Sequence, residues 1–286
     1  MPQTWLVGDR AFEWGKRTYV MGVINLTPDS FSDGGSYEDV DAVLHTVEAI
    51  AEKVDILDLG GESTRPGAEP VSLDQELARV IPALQAIRDR FPQLPISIDT
   101  TKSTVARAAL DLGAHMINDV SAGRFDPAML EVVAEYHVPV ILMHMQGKPR
   151  QMQDHPHYDN VVPEIYDFFT QAIAVAEAMG IAKHLIAIDP GIGFGKNLNH
   201  NLSLIGQLSH FQSLDAPILI GVSRKSFIGK LCNQPEPRQR VWGTAAACAI
   251  AISQGADILR VHDVAAIKDV CLVADAICRP ASYLGV

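Results

Sequence analysis

Cysteine is scarce in this chain of 286 residues: four, at positions 232, 248, 271 and 278, with no Cys-x-x-Cys pair among them. Such spacing supplies neither a disulfide framework nor a zinc ribbon, and it resembles the usage of a reduced, cytosolic protein. Also missing is any apolar run approaching the roughly 18 residues that a membrane span requires. The opening stretch "MPQTWLVGDRAFEWGKRTYVMGVIN" carries acidic residues ahead of its first apolar segment and no continuous hydrophobic core, so it is not expected to act as a secretory signal. A cytoplasmic location is the expectation. Positive charge is in the minority, 23 Lys and Arg against 34 Asp and Glu, for a formal charge of −11, and no Lys/Arg-rich block stands out. That balance argues against nucleic acid as the partner, because a phosphate backbone selects a basic face. Any anionic substrate must then be held by a local cationic group, and "SRKSFIG" at 223–229, directly after the apolar "PILIGV", is one.

What is present in quantity is short aliphatic runs: "YVMGVIN", "VDILDLGG", "PISIDT", "MINDVSA", "PVILMHM", "LIAIDPG", "PILIGVS" and "ILRVHD". Each begins nearly continuously apolar, as a strand buried on both faces of a parallel sheet does. Segments of helical periodicity separate them, among them "DAVLHTVEAIAEK", "LDQELARVIPALQAIRDR", "TVARAALDLG" and "VVPEIYDFFTQAIAVAEAMG". Eight strand-helix units with right-handed crossovers predict a closed (β/α)8 TIM barrel spanning 1–286 as one domain. An open doubly wound sheet is the alternative, since strand order is not visible in a sequence. The first 18 residues precede the first unit, and "TWLVGDRAFEWG" predicts a small hairpin plugging the bottom of the barrel.

Barrel enzymes build their sites at the carboxyl ends of the strands, so the polar residue ending each run is the informative one. These are Asn25; Glu62 to Arg65; Asp99 and Thr100; Asn118 and Asp119; His144; Asp189; Ser223 to Lys225; and Arg260 with His262. Helix capping and loop polarity account for any one of them, less readily for all eight ends together. Residues two apart on a strand share a face, so Arg260 and His262 project together, and inward at the rim is cheaper than under the helices. Asp99 shares a face with Ser97; its other open role is to cap the helix expected in "TKSTVARAAL".

The turn "GIGFGK" fails both phosphate-loop patterns: Pro190 stands where a Walker loop needs glycine, Asn197 follows Lys196, and position 196 is not the glycine of a dinucleotide loop. Its glycines are expected to let the backbone and Phe194 approach a flat ligand, or to serve a left-handed turn. His144, His155 and His157 lack metal-ligand spacing, and only His144 is placed near the site. Met143 and Met145 are packing residues or the floor under an aromatic ligand.

Eight motifs in order, "MGVINLTPDSFSDGG", "LGGESTRPGA", "SIDT", "INDVSAG", "LMHMQG", "DPGIGFGKN", "GVSRKSFIG" and "RVHDV", resemble the dihydropteroate synthase family over nearly the whole chain from Tyr19 onward. The resemblance implies a folate-pathway transferase, the target of sulfonamides, that joins 6-hydroxymethyl-7,8-dihydropterin pyrophosphate to p-aminobenzoate by a dissociative displacement. It implies Asp189 on the amino-pyrimidinone edge of the pterin, Asp99 and Asn118 at the far ring, and Lys225 over the pterin. Ser223 is implied near the pterin edge and Ser226 beside the carboxylate of p-aminobenzoate. Arg260 and His262 are the implied diphosphate clamp, with Asn25 an oxygen ligand to Mg²⁺. Phe31, Thr64, Arg65 and Pro66 are carried on two long Gly/Pro-rich loops expected to exclude water. A homodimer is implied, with "GTAAACAIAI" as a close-packing surface. Arg224 has two open roles, in the site or in a salt bridge to a neighbouring helix. Two other readings are a pterin-binding corrinoid methyltransferase barrel and a silent barrel holding a phosphorylated metabolite; the cationic groups favour the synthase.

Overall fold

The computed structural model describes residues 3–27, 37–63, 67–148 and 150–280, with the backbone alone at 37–39. A hairpin of β1 (Trp5–Val7) and β2 (Arg10–Phe12) precedes eight parallel strands: β3 (Tyr19–Asn25), β4 (Ile56–Gly60), β5 (Ile96–Asp99), β6 (Met116–Asp119), β7 (Val140–Met143), β8 (Ile186–Asp189), β9 (Leu219–Ile220) and β10 (Ile258–Val261). Helices α1 (Tyr37–Ile50), α2 (Leu73–Arg90), α3 (Ser103–Asp111), α4 (Met129–Tyr136), α5 (Val161–Ala178) and α6 (Leu198–Gly206) follow β3 to β8 in turn. The short α7 (Ser226–Cys232) and then α8 (Val241–Ser253) follow β9, and α9 (Val264–Cys278) follows β10.

Hydrogen bonding orders the strands β8-β7-β6-β5-β4-β3-β10-β9, and a parallel bridge between Ile188 and Ile218 joins the two ends. The sheet therefore closes, which removes the doubly wound alternative and confirms the (β/α)8 barrel. Every residue of β4 to β8 is buried, as the uninterrupted aliphatic runs require of strands covered on both faces. Helix α2 shows how the sequence starts and seats the outer layer. Ser72 accepts from the Gln75 amide at 3.3 Å while the Gln75 side chain accepts from the Ser72 amide at 3.2 Å, and Val80, Ala83, Leu84 and Ile87 form the stripe facing the strands.

The expected plug is present. Trp5, Val7, Phe12 and Trp14 are buried against Tyr19, Met21, Ile56, Met116, Ile141, Ala187, Leu219 and Ile258, the inward residues at the amino ends of the barrel strands. Trp5 meets Trp14 edge-on at 4.9 Å, and Phe12 lies 4.8 Å from Tyr19. Each such aromatic contributes about 1.5–3 kcal/mol by leaving water. Three acids tie this end together. Asp55 accepts from Arg17 at 2.8 Å, the Val20 amide at 2.8 Å and Lys268 at 3.2 Å. Asp275 takes the Thr18 amide, the Thr18 hydroxyl and Arg279. Asp257 takes the amides of Gly15 and Ile218. With the bottom sealed, the carboxyl ends of the strands form the mouth.

Candidate functional site

At that mouth the side chains from distant segments converge. Register sets Asp99, the last residue of β5, beside Asn118 of β6 on one side and Gly60 of β4 on the other. The Arg260 guanidinium, from β10, spans two carboxylates: Nε donates to Asp58 Oδ2 at 2.6 Å and Nη2 to Asp99 Oδ2 at 2.7 Å. Asn118 Nδ2 donates to the same Asp58 oxygen at 3.1 Å. Asp189 stands across Gly221 from this group: a Cβ on Gly221 would lie 3.9 Å from both Arg260 Cβ and Asp189 Oδ2. Arg260 thus points inward, as the cost of placing a charge under the helices predicts. Asp99 does not cap α3, whose Ser103 amide is taken by Asp126 Oδ2 at 2.7 Å.

The electrostatics are those of groups withheld from water. Burial pushes the Asp99 carboxyl up to about 7, opposed by Arg260 and reinforced by the charges of Asp58, Glu76 and Asp119. Burial likewise raises Asp189, against the pull of Lys225, the Gly191 amide and Arg260. Burial lowers the Lys225 ammonium to about 8, partly offset by Asp189. Asp58 Oδ1, Asp99 Oδ1 and Ser97 Oγ are buried without a hydrogen-bond partner among the described residues. Buried polar atoms are nearly always paired in native proteins, so acceptors left open on adjacent strands mark a site built to receive donors.

An apolar shelf adjoins the acids. Phe194 packs on Val120, Met143, Met145 and Met152, and the Lys225 ammonium stands 4.4 Å from the centre of its ring while donating to the Ile192 carbonyl. Gly191 and Gly195 have φ of +68° and +62°, and a Cβ on them would lie 1.9 Å from the His144 carbonyl and 2.5 Å from that of Gln146. These glycines are required by the neighbouring loop backbone, a constraint that the sequence did not reveal. Lys196 is buried behind them, bonded to His144 Nδ1 at 3.0 Å, the Phe194 carbonyl at 3.0 Å and the His144 carbonyl at 3.3 Å. Burial holds it well below its ordinary value. His144, lowered to about 2 by burial and by Lys196, is a neutral acceptor edge-on to Phe168, so it braces the glycine loop from behind.

Of the cationic segment, Ser223 Oγ accepts from the His262 amide at 3.2 Å and lies 3.1 Å from its Nδ1. Arg224, at φ +59°, turns out of the mouth, its guanidinium bonded twice to Asp263 just before α9. It takes the salt-bridge role. Ser226 opens α7 and is exposed; Asn25 ends β3, half-buried opposite Gly60. Phe31, Thr64, Arg65 and Pro66 lie outside the described residues. Sequence reasoning missed Asp58, an acid between Leu57 and Leu59 within an apolar run; a charge in that setting was the available signal. It also missed Glu76, buried in α2, which accepts from Thr100 Oγ1 at 2.6 Å and pairs with Lys102.

Among the described residues no group of three or more His, Cys, Asp or Glu side chains could hold a metal ion. Asn25 offers a hard oxygen at the end of β3, which fits an ion such as Mg²⁺ only where phosphate oxygens and water complete its shell.

A profile of the family described as "Pterin binding enzyme" matches residues 21–262. A dihydropteroate synthase of Synechocystis sp. is 49% identical over 274 residues, 96% of this chain and 94% of that protein. The crystal structure of Yersinia pestis dihydropteroate synthase with a sulfonamide drug complex superposes with a TM-score of 0.90 at 42% identity, covering 96% of this chain and 99% of that one. The Xanthomonas albilineans enzyme in complex with 7,8-dihydropteroate gives a TM-score of 0.85 at 42% identity, over 96% and 98% of the two chains.

Proposed function

The chain belongs to the pterin-binding enzyme family, and we propose that its residues divide the dihydropteroate synthase reaction as follows. The reaction is the transferase step of folate biosynthesis: 6-hydroxymethyl-7,8-dihydropterin pyrophosphate and p-aminobenzoate give 7,8-dihydropteroate and pyrophosphate. The observation that carries the reading is the ring of recessed acids with open acceptor oxygens around Arg260, beside the shelf of Phe194 and Met143. A pterin presents N–H donors along one edge and a flat face, which is what such a pocket accepts.

Asp189 takes the two adjacent N–H donors of the amino-pyrimidinone edge. Asn118 and Asp99 take the remaining polar atoms, and Lys225 covers the ring. The bond from the pterin methylene to the diphosphate oxygen breaks first, its electron pair leaving with the diphosphate. Ionised Asp99 stabilises the cation so formed in a site where few waters compete. The aryl amine then bonds to the methylene carbon and loses a proton. His262 and Arg260 receive the diphosphate, Ser223 steadies His262, and Ser226 meets the carboxylate of p-aminobenzoate. Asn25 would hold Mg²⁺, which supplies charge neutralisation on the leaving group when bound.

The 286 residues act as one domain in the cytoplasm, and no described helix is long and apolar enough to cross a membrane. Homodimerisation is supported by apolar side chains left exposed on α8 and α9: Trp242 at 83%, Ile250 at 52%, Val273 at 63% and Ile277 at 73%. Sedimentation as a monomer would refute it. The direct assay is conversion of the two substrates by purified protein with Mg²⁺; absence of dihydropteroate at saturation would defeat the reading.

A further inference from the structure

Asp58 holds a place that the reaction scheme does not use. It is fully buried within β4, paired in register with Val23 and Ser97, and its Oδ2 serves two functional side chains at once. An ionised carboxylate only accepts, so Asn118 must turn its NH₂ group towards Asp58, leaving its carbonyl oxygen as the acceptor that can face a ligand. The same carboxylate takes Nε of Arg260. Asp99 takes one Nη2 hydrogen, and Arg260 makes no other hydrogen bond among the described residues.

Resting on the synthase reading above, we infer that Asp58 is the positioning residue of this site. It anchors Arg260 by Nε and fixes the orientation of Asn118, so that Arg260 can exchange Asp99 for the diphosphate without losing its place. The two carboxylates that share the guanidinium have different accessibility to substrate. Asp58 is wholly buried between β3 and β5, its register partners there being Val23 and Ser97, and stays with Arg260 throughout the cycle. Asp99 ends its strand at the mouth and is the partner released to the pterin.

The charged groups facing Asp99 are Arg260 from β10, Asp58 from β4, Glu76 from α2 and Asp119 from β6. Removing the Asp58 charge acts on Asp99 twice in the same direction. A neighbouring negative charge that raises its carboxyl is gone, and Arg260 is left with Asp99 as its one hydrogen-bonded carboxylate among the described residues. Both lower the pH at which Asp99 ionises.

The test is Asp58→Asn, with kcat/KM for the dihydropterin pyrophosphate measured beside wild type from about pH 5.5 to about 9. The expected result is a fall of about tenfold or more at pH 8, together with an acid limb displaced downward by about half a pH unit or more. Lower activity with an unmoved acid limb would reduce Asp58 to packing and overturn the inference, as would unchanged kcat/KM. Inactive wild-type protein would instead defeat the synthase reading itself. If Asp58→Asn fails to fold, nitrogen-15 NMR of wild type decides, with the Arg260 Nε–H signal assigned by Arg260→Lys. That hydrogen should stay protected from solvent exchange when dihydropterin pyrophosphate and Mg²⁺ saturate the site; loss of protection overturns the anchor.

Discussion

Two buried acids at opposite ends of the barrel, Asp55 and Asp99, are treated in opposite ways. At the amino end Asp55 has three donors, and Arg17, the Val20 amide and Lys268 together hold its carboxyl below the ordinary range despite burial. At the carboxyl end Asp99 and Asp189 are raised, and oxygens of Asp58 and Asp99 have no donor. The sign of each contribution to stability follows. Asp55 ionises more readily folded than unfolded, so its contribution is present above the ordinary carboxylate range and lost as pH falls through its lowered value. Asp99 holds its proton more tightly when folded, so its contribution is present at acid pH and lost as pH rises from the ordinary range through about 7. Asp55 is satisfied by the chain's own donors, whereas Asp58 and Asp99 each keep an acceptor oxygen open among the described residues.

The largest effect expected from breaking that contrast lies at the amino end. Trp5→Ala should lower unfolding free energy by about 3–5 kcal/mol in denaturant titration, while kcat/KM of the folded protein stays within about twofold. Asp55→Ala, which strands the buried Val20 amide, should cost about 2 kcal/mol and leave turnover alone. A large loss of kcat in either variant would erase the division. At the other end Asp99→Asn should lower turnover at least about tenfold, equivalent to about 1.4 kcal/mol, with pterin binding retained. Calorimetry should show that variant gaining stability relative to wild type at pH 8 more than at pH 5, since a neutral side chain avoids ionisation in a buried place. Unchanged turnover would remove Asp99 from the reaction. The smallest effect is in the wild-type pH profile. Activity should rise through about 7 as Asp99 loses its proton and fall above about 8 as Lys225 loses its own. A plateau extending past both values would mean that neither group governs the rate.

The amino end was legible only as a hairpin; the identity of its partners was not, because Asp55, Asp257 and Asp275 acquire meaning from strands that meet only in the closed barrel. The eight strands were legible because burial on both faces leaves no alternation to confuse. Asp99, Asn118, Asp189 and Arg260 could be found because they lie at or near the ends of those runs. Asp58 lies inside one, where a search confined to run ends does not look. Lys196 shows the converse: "GIGFGK" fails the phosphate-loop patterns and leaves its lysine without a role, and three-dimensional proximity gives it to His144. Nor does a one-dimensional pattern show that Gly191 and Gly195 answer to the backbone of residues 144 and 146.

The plug also fixes an order of events during synthesis. Residues 5 to 14 leave the ribosome before any strand of the barrel, yet their seat is built partly from Leu219 and Ile258, and the Gly15 amide finds its acceptor on Asp257. This aromatic cluster therefore waits, exposed, while more than two hundred further residues are translated. Chaperones that shelter nascent apolar segments would meet the hairpin well before its seat exists, and the barrel can be corked only after β10 has arrived.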